Sequence, residues 1–362
     1  MTDALDLSAH VADLTAALCD VESVSGDEAR LADLVEDALR RQERLDVLRD
    51  GNTVVARTHL GRGERVLLAG HLDTVPLTDP PNLPTQRRRG EDGEELWGRG
   101  TVDMKGGVAV QLRLAHLLES PNRDITFVFY DCEEIEAERN SLTRLAATRP
   151  DLLEADFAVL LEPTRALVEG GCKGTMRAEI RTRGVAAHSG RPWMGENAIH
   201  AAAPILATLA DYEAREVDVD GLLFREGMSA VGIESGLAGN VVPDACTVTV
   251  NYRFAPDLDE AAAEAHLREL FDGFELTITD SAGGARPGLD RPAAQAFVDA
   301  IGGEVSAKQG WTDVARFSAL GVPAVNFGPG DPLLAHKDDE ACPVDQLQAA
   351  EDALLRWLSS DS

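Results

Sequence analysis

With 362 residues, 44% of them hydrophobic and 27% charged, the chain is long enough to bury a large core and is best interpreted as two domains. Its net charge of −29, from 34 Lys and Arg against 63 Asp and Glu, disfavours nucleic acid and anionic membranes as partners. The sequence shows no leader with a basic and then an apolar part, and no apolar run of about 20 residues, so we expect a cytoplasmic protein. The five scattered cysteines include no C-x-x-C pair, which favours reduced packing residues over disulfides or a cysteine-based zinc site.

Four continuous apolar runs predict strands that are buried on both faces of a sheet. In chain order they are RVLLAG (65–70), ITFVFY (125–130), FAVLL (157–161) and VPAVNF (322–327). A helical pattern over 105–119 separates the first two runs. This alternation predicts an α/β domain with a mixed, mostly parallel sheet.

A different kind of strand occupies the middle of the chain. In CTVTVNYRF (246–254), apolar and polar residues alternate, as in a sheet with one solvated face. From 175 to 279 the pattern is β-α-β-β-α-β, with a helix predicted over 196–213, and this order is typical of a ferredoxin-like α+β domain. Since buried strands lie on both sides of it, we expect this domain (174–285) to be inserted into a discontinuous one (1–173 and 286–362).

Polar residues follow each buried strand. Asp103 lies in the glycine-rich segment WGRGTVDMKGG, and the strand ends are followed by His71 and Asp73, by Asp131, Glu133 and Glu134, by Glu162, and by His336. Ligands bind at the carboxyl ends of strands in open α/β sheets, so we expect these side chains to converge. Imidazoles and carboxylates without thiolates suit zinc, cobalt or manganese. Each residue alone could be a helix cap or a surface group, but their recurrence at four strand ends favours a metal site.

Several motifs together resemble a known family. They are GHLDTVP, GRGTVDMKGG, DCEE, EPT, GVAAHSGRPWMGENAI, GNVVPDA and GPGDPLLAH. Their order is similar to that of the dinuclear zinc amidohydrolases and peptidases, which include aminoacylases, acetylornithine deacetylases and glutamate carboxypeptidases. The resemblance covers nearly the whole chain. It implies a catalytic α/β domain with an inserted ferredoxin-like lid and dimerisation domain.

The resemblance also implies a set of metal ligands. Asp103 corresponds to the carboxylate that bridges two Zn²⁺ ions in each subunit. His71 and Glu162 complete the protein ligands of one ion, and Glu134 and His336 those of the other. Co²⁺ or Mn²⁺ in one site remains an alternative.

Three further residues correspond to catalytic positions of the family. Glu133 resembles the general base, and Asp73 is expected to accept the free ring N–H of His71 and to fix its tautomer. His188 in AAHSG resembles the donor to the tetrahedral oxyanion, often supplied by the neighbouring subunit. An ordinary surface histidine would fit the same loop.

Substrate-binding positions are matched less closely. Arg253 and Asn240 correspond to residues that hold carboxylate or carbonyl groups, although Arg253 could equally form a salt bridge within the lid sheet. Thr312 and Asp313 correspond to residues that line the site. Trp311 departs from the family pattern at this point, and Leu161 replaces a glycine that often precedes the Glu-Pro pair.

The expected activity is that of a metal-dependent amide hydrolase. Motifs such as VFYDCEE, REGMSAV and VNYRFAPD are most similar to actinobacterial succinyl-diaminopimelate desuccinylases, which release succinate from N-succinyl-LL-2,6-diaminopimelate in lysine and diaminopimelate biosynthesis. Deacylation of another N-acyl amino acid, such as N-acetylornithine, and a non-catalytic metal-binding relative remain alternatives. We expect a homodimer that acts on a small molecule and has no nucleic-acid or membrane partner.

Overall fold

The computed structural model describes residues 4–90 and 93–359. The chain divides into two compact units, the first formed by Met1–Gly170, Gly288–Ser306 and Arg316–Ser362, the second by Gly171–Pro287 and Ala307–Ala315. The boundaries predicted from sequence place 307–315 in the catalytic domain, whereas the structure groups this segment with the second unit. The reason is hydrogen bonding with distant segments of the second unit: the Lys173 N–H donates to Gly310 O at 3.1 Å, and the Trp311 indole N–H donates to Gly283 O at 3.1 Å.

The helices and strands are as follows. The α-helices are α1 Val11–Cys19, α2 Ala29–Arg40, α3 Lys105–Leu117, α4 Ser141–Thr148, α5 Ala198–Ala201, α6 Ala203–Ala210, α7 Glu260–Leu270, α8 Pro292–Ile301, α9 Val314–Ala319 and α10 Val344–Ser359. The strands are β1 Asp46–Asp50, β2 Thr53–Arg57, β3 Arg65–His71, β4 Gln86–Arg89, β5 Glu94–Trp97, β6 Asp124–Tyr130, β7 Phe157–Leu160, β8 Val168–Gly170, β9 Gly174–Arg183, β10 Ala187–His188, β11 Glu216–Val219, β12 Leu222–Arg225, β13 Gly227–Ser235, β14 Val241–Val242, β15 Ala245–Phe254, β16 Glu275–Ala282, β17 Val305–Ala307, β18 Ala324–Asn326 and β19 Ala341–Pro343. Among the described residues, none of these helices combines the length and the apolar composition that crossing a bilayer requires.

The first unit is built on a sheet with the strand order β1-β2-β6-β3-β7-β18-β8-β17. Its four central strands are the four apolar runs of the sequence, and they pair in parallel. The strands β1, β2 and β8 pair antiparallel at the flanks. Buried residues of α1, α2, α3, α8 and α10 join those of the strands in one hydrophobic core. The α/β prediction is confirmed, and it places the carboxyl ends of β6, β3, β7 and β18 side by side.

The second unit contains an antiparallel sheet with the order β13-β15-β9-β16. Its four strands and the helices between them follow the predicted β-α-β-β-α-β order. The single helix predicted over 196–213 is instead two helices, α5 and α6, because Pro204 lacks an N–H and cannot continue the α5 hydrogen-bond ladder. The hairpin of β11 and β12 is not among the predicted elements, although Asp220 and Gly221, both with positive φ, form the Asp-Gly turn that is typical of hairpins.

Candidate metal centre

Acidic and histidine side chains meet at the carboxyl edge of the central strands of the first unit. His71 is the last residue of β3, Glu133 and Glu134 follow β6, and Glu162 follows β7. Two sets of three side chains have potential ligand atoms within 4.8 Å of one another: His71, Asp103 and Glu162 in one, and Asp103, Glu134 and His336 in the other. The structure therefore brings together all five predicted metal ligands, and Asp103 belongs to both sets.

Asp103 presents a different oxygen to each histidine. Its Oδ1 lies 3.2 Å from Nε2 of His71, and its Oδ2 lies 3.4 Å from Nε2 of His336. Nε2 of His336 is also 3.0 Å from Oε1 of Glu134. This is the arrangement that a carboxylate shared between two cations would need, since each oxygen faces a separate group of nitrogen and oxygen donors.

The electrostatics of the centre also suit a cation. Although burial disfavours its charge, hydrogen bonds with His336 and His71 lower the pKa of Asp103. Hydrogen bonds with Asp103 and Glu134 raise the pKa of His336 to about 10. Burial alone would lower the pKa of His71, but Asp103 and Asp73 outweigh it and raise that pKa. The buried carboxylates thus draw protons onto both histidines, and a divalent cation would neutralise the same charge.

Two residues of the centre hold unusual backbone conformations. Cys132 and His336 have φ values of 61° and 63°, in the left-handed region that side chains with a Cβ rarely adopt. Cys132 lies directly before Glu133 and Glu134, so its conformation sets the direction in which the two glutamates leave β6. Such conformations concentrate at functional sites, where the surrounding structure holds them.

Asp73 contacts more of the centre than its predicted role beside His71 requires. Nδ1 of His71 lies 3.0 Å from the backbone oxygen of Asp73 and 3.5 Å from its Oδ1, so the carbonyl is the nearer partner. The Asp73 carboxylate accepts the N–H of Glu133 at 3.0 Å, the N–H of Glu134 at 3.1 Å and the hydroxyl of Ser25 at 2.7 Å. It therefore links the end of β3 to the two-glutamate segment. No sequence motif marked Ser25, which reaches Asp73 because Val24 and Thr74 form a bridge between distant parts of the chain.

Glu133 lies within the centre but outside the two sets described above. Its carboxylate, a nitrogen of His71 and an oxygen of Glu134 lie within 4.8 Å of one another. Both glutamates are half-buried, but Oε1 of Glu134 also lies 3.0 Å from Nε2 of His336. The two adjacent glutamates thus occupy different environments.

Asp131 does not join either set, although it follows the same strand. It groups with Glu28 and Cys132. The carboxylates of this group already accept hydrogen bonds, Asp131 from the Thr53 hydroxyl at 2.7 Å and Glu28 from the Gly26 N–H at 2.6 Å. Both carboxylates of this group are therefore satisfied by hydrogen bonds within the protein.

The other predicted site residues belong to the second unit. His188 lies on β10, which pairs with β14, and the Ser189 N–H donates to Asn240 O at 2.9 Å, so His188 and Asn240 are neighbours. Arg253 lies half-buried on the polar face of β15, where its Nε donates to Oδ1 of Asn251 at 3.0 Å. Thr312 and Asp313 are buried in the segment 307–315. Their roles toward a substrate stay predictions.

Comparison with solved structures supports the fold. A tripeptidase from Staphylococcus aureus superposes with a TM-score of 0.78 at 19% identity and covers 98% of each chain. An M20 family metallo-carboxypeptidase from Sulfolobus solfataricus gives a TM-score of 0.76 at 17% identity over 96% of this chain and 98% of the other. At these identities the likeness shows a common fold.

Sequence comparison identifies the family. The family model "Peptidase family M20/M25/M40" matches residues 67–360. A Corynebacterium glutamicum protein named succinyl-diaminopimelate desuccinylase is 46% identical, over 98% of each chain. A Mycobacterium tuberculosis protein to which the same name is provisionally given is 54% identical, over 98% of this chain and 99% of its own. The resemblance drawn from the motifs is confirmed: the chain belongs to peptidase family M20/M25/M40.

Proposed function

We propose that this protein is a metal-dependent amide hydrolase that removes succinate from N-succinyl-LL-2,6-diaminopimelate, in the biosynthesis of diaminopimelate and lysine. The observation that carries the reaction class is the pair of donor sets that share Asp103. The substrate follows from the names of relatives that match the chain over 98% of its length at 54% and 46% identity.

The donor sets fit two divalent cations in each subunit. His71, Asp103 and Glu162 would hold one, and Asp103, Glu134 and His336 the other. Mixed nitrogen and oxygen donors suit zinc, with cobalt or manganese as alternatives in one site. When bound, the two ions lower the pKa of a water molecule and polarise the amide carbonyl of the substrate.

Glu133 is the general base of this reaction. It takes a proton from the attacking water, whose oxygen bonds to the succinyl carbonyl carbon, and it delivers that proton to the nitrogen as the C–N bond breaks. Asp73 fixes the backbone of this segment by accepting the N–H groups of both Glu133 and Glu134, and the contact of Glu134 with His336 supports the division of roles. One glutamate is then oriented as a ligand while its neighbour remains available for proton transfer.

The second unit supplies the substrate contacts in this proposal. Arg253 binds a substrate carboxylate, and Asn240, Thr312 and Asp313 line the site. Within the described part of the chain, the side-chain hydrogen bond of Arg253 uses Nε and goes to Asn251, which leaves the terminal guanidinium nitrogens for a planar, two-point contact. His188, which is exposed, donates to the oxyanion of the tetrahedral intermediate.

A homodimer formed through the second unit completes the proposal. Large apolar side chains are exposed on this unit: Trp193 at 76%, Met194 at 67%, Val231 at 60% and Leu237 at 79%. The strand β13, at one end of its sheet, carries Val231 and offers an edge for pairing. An exposed apolar surface of this kind supports self-association, with His188 serving the site of the partner subunit.

We place the reaction in the cytoplasm, in keeping with five free, buried cysteines.

A substrate panel tests the proposed function. The protein is freed of metal with a chelator, reloaded with zinc, and assayed for amine release from N-succinyl-LL-2,6-diaminopimelate, other N-succinyl amino acids and N-acetylornithine. We expect activity to vanish with the metal and return with zinc, and kcat/KM for the succinylated diaminopimelate to exceed that for N-acetylornithine at least ~10-fold, as expected of a site built to bind the succinyl carboxylate. Preference for N-acetylornithine would favour the other deacylase. Zinc binding without turnover of any substrate would favour the non-catalytic relative.

A further inference from the structure

A buried ion pair lies directly behind the two donor sets. Nη1 of Arg99 donates to Oε2 of Glu340 at 2.8 Å, and the two side chains are 4% and 0% exposed. The other oxygen of Glu340, Oε1, accepts the backbone N–H of Val102 at 2.9 Å and that of Asp103 at 3.2 Å. Glu340 therefore fixes the backbone at Asp103, whose carboxylate belongs to both donor sets.

The same pair reaches the loop that carries His336. Nη1 of Arg99 also donates to the backbone oxygen of Lys337 at 3.3 Å, one residue beyond His336. The Gly98 N–H donates to the backbone oxygen of Glu340 at 3.0 Å, which closes the connection between the two loops. Asp103 and His336, which lie far apart in sequence, are thus tied through one guanidinium and one carboxylate.

Stability alone is a poor explanation for this pair. Removing two charges from water costs free energy that their attraction offsets only in part, so a buried ion pair adds little to net stability compared with apolar side chains of similar size. What the pair does provide is geometry, because its hydrogen bonds hold the backbone N–H groups of Val102 and Asp103 and the backbone oxygen of Lys337. Partners that orient metal ligands in this way commonly change metal affinity 10- to 100-fold when they are lost.

We propose that Arg99 and Glu340 are positioning residues of the metal centre, which set the spacing between Asp103 and His336 that a cation bound by both requires. This inference rests on the proposed function, since it assumes that the donor sets hold metal. The set of Asp103, Glu134 and His336 depends on the pair at two of its three members. In the set of His71, Asp103 and Glu162, the pair touches Asp103 alone, so that set depends on it less.

The experiment measures zinc affinity in Glu340→Gln by competition with a chromophoric chelator. The glutamine keeps an oxygen for the N–H groups of Val102 and Asp103, but it loses the charge opposite Arg99. We expect one of the two zinc dissociation constants to rise 10- to 100-fold and the other to rise less. Arg99→Lys keeps the charge but not the planar fork, so it should give a smaller rise in the same constant. If circular dichroism shows that Glu340→Gln does not fold, the zinc dissociation constants of Arg99→Lys test the positioning role by the same criterion.

A second ion pair of the first unit provides the matched control. Arg113 on α3 donates to Glu351 on α10 at 2.8 Å, and these side chains are 13% and 5% exposed. In this pair too the arginine contacts a backbone oxygen, that of Leu7, but it lies outside the loops that carry Asp103 and His336. Glu351→Gln should lower thermal stability and leave both zinc constants unchanged.

Three outcomes distinguish a failure of the positioning role from a failure of the proposed function. Zinc binding by a folded Glu340→Gln protein at wild-type affinity would overturn the positioning role. An equal loss of affinity in Glu351→Gln would also overturn it, because the effect would then reflect general destabilisation. Failure of the wild-type protein to bind zinc would instead reject the proposed function, and it is measured first.

Discussion

At the scale of single residues, two adjacent side chains of the centre, Glu133 and Glu134, have different proposed roles. Glu133 and Glu134 are neighbours in sequence, and both backbone N–H groups are held by Asp73. Oε1 of Glu134 lies 3.0 Å from Nε2 of His336. The difference between the two glutamates therefore arises from their side-chain partners. We expect substitutions of the two residues to have different effects.

Glu133→Gln should retain two bound metal ions and lose kcat by at least ~10²-fold, because the amide cannot accept the proton of the attacking water. Metal content by atomic absorption and steady-state kinetics on the same preparation check this. Glu134→Gln is the matched comparison, and it should lose metal. If Glu133→Gln loses metal while the remaining ions keep full turnover, the roles of the two glutamates are reversed.

His336 should make metal binding depend on pH. In the metal-free protein, hydrogen bonds with Asp103 and Glu134 raise its pKa to about 10, so the ring is protonated at neutral pH. A metal ligand must be a neutral imidazole, and so each ion bound at this set displaces a proton. Below the raised pKa, the apparent affinity should therefore fall about tenfold for each unit of decreasing pH.

Chelator competition at pH 6.5, 7.5 and 8.5, corrected for the protonation of the chelator itself, measures this slope. Titration calorimetry in two buffers of different ionisation enthalpy would count the released protons. An affinity that does not change across this range would show that His336 is already neutral before metal binds.

At the scale of helices and strands, the centre depends on how closely α3 approaches the end of β7. An ideal Cβ on Gly107 would lie 2.1 Å from the backbone oxygen of Leu161 and 2.8 Å from its Cβ, so a side chain would force the helix away. Leu161 directly precedes Glu162, and α3 begins two residues after Asp103. The positions of Asp103 and Glu162, two proposed ligands of one donor set, thus rely on a glycine.

Gly107→Ala should destabilise the fold by about 1–3 kcal/mol, the usual cost of overpacking a filled interior. It should also weaken metal binding, because Glu162 moves with Leu161. Urea unfolding and metal content measure the two effects. Gly63→Ala is the control, since nothing lies within 4 Å of an added Cβ there. Equal stability of the two variants would show that α3 adjusts without cost.

The elements that the sequence predicted correctly are those with a local signal. The apolar runs of β3, β6, β7 and β18 identify a buried sheet, and the acidic and histidine residues after them lie close together at one edge of it. Pro204 and the Asp-Gly turn at 220–221 were local signals as well, and they would have placed the break before α6 and the hairpin of β11 and β12.

What the sequence could not predict depends on contacts between distant residues. Ser25 reaches Asp73 across 48 positions, and Glu340 reaches Val102 across 238. No periodicity or spacing in the sequence marks such pairs, because the two residues come together only when the chain has folded. The same reason explains why the structure groups 307–315 with the second unit, unlike the boundary predicted from sequence: its hydrogen bonds to Lys173 and Gly283 are non-local.

At the scale of the whole molecule, the proposed dimer has a direct test in subunit mixing. If His188 serves the partner's site, His188→Ala and Glu133→Gln proteins are each nearly inactive, but a mixed dimer contains one site with both residues intact. Random exchange makes half of the dimers mixed, so about a quarter of the wild-type activity should return. Each variant mixed with itself is the control. An absence of recovery after proven exchange would place His188 at the site of its own subunit.

The net charge of −29 bears on how the substrate arrives. N-succinyl-diaminopimelate carries three carboxylates and one ammonium, a charge of about −2 at neutral pH, so the long-range field opposes its approach. Salt screens this repulsion over a Debye length of about 10 Å at 0.1 M, whereas a partly buried two-point contact with Arg253 is screened less. We therefore expect kcat/KM to rise or hold steady between low and moderate ionic strength.

Arg253→Lys separates the geometry of that contact from its charge. Lysine keeps the positive charge but loses the planar fork, so KM should rise more than kcat falls, while the salt dependence, which reflects the charge of the whole molecule, stays as in the wild type. Arg183→Lys on β9 is a suitable control, because Arg183 is exposed and pairs with Glu275 at 2.8 Å, and it should change neither parameter. A steep fall of activity with salt, together with a silent Arg253→Lys, would mean that a basic surface elsewhere steers the substrate. Arg253 would then be a structural residue of the β15 face, held by Asn251.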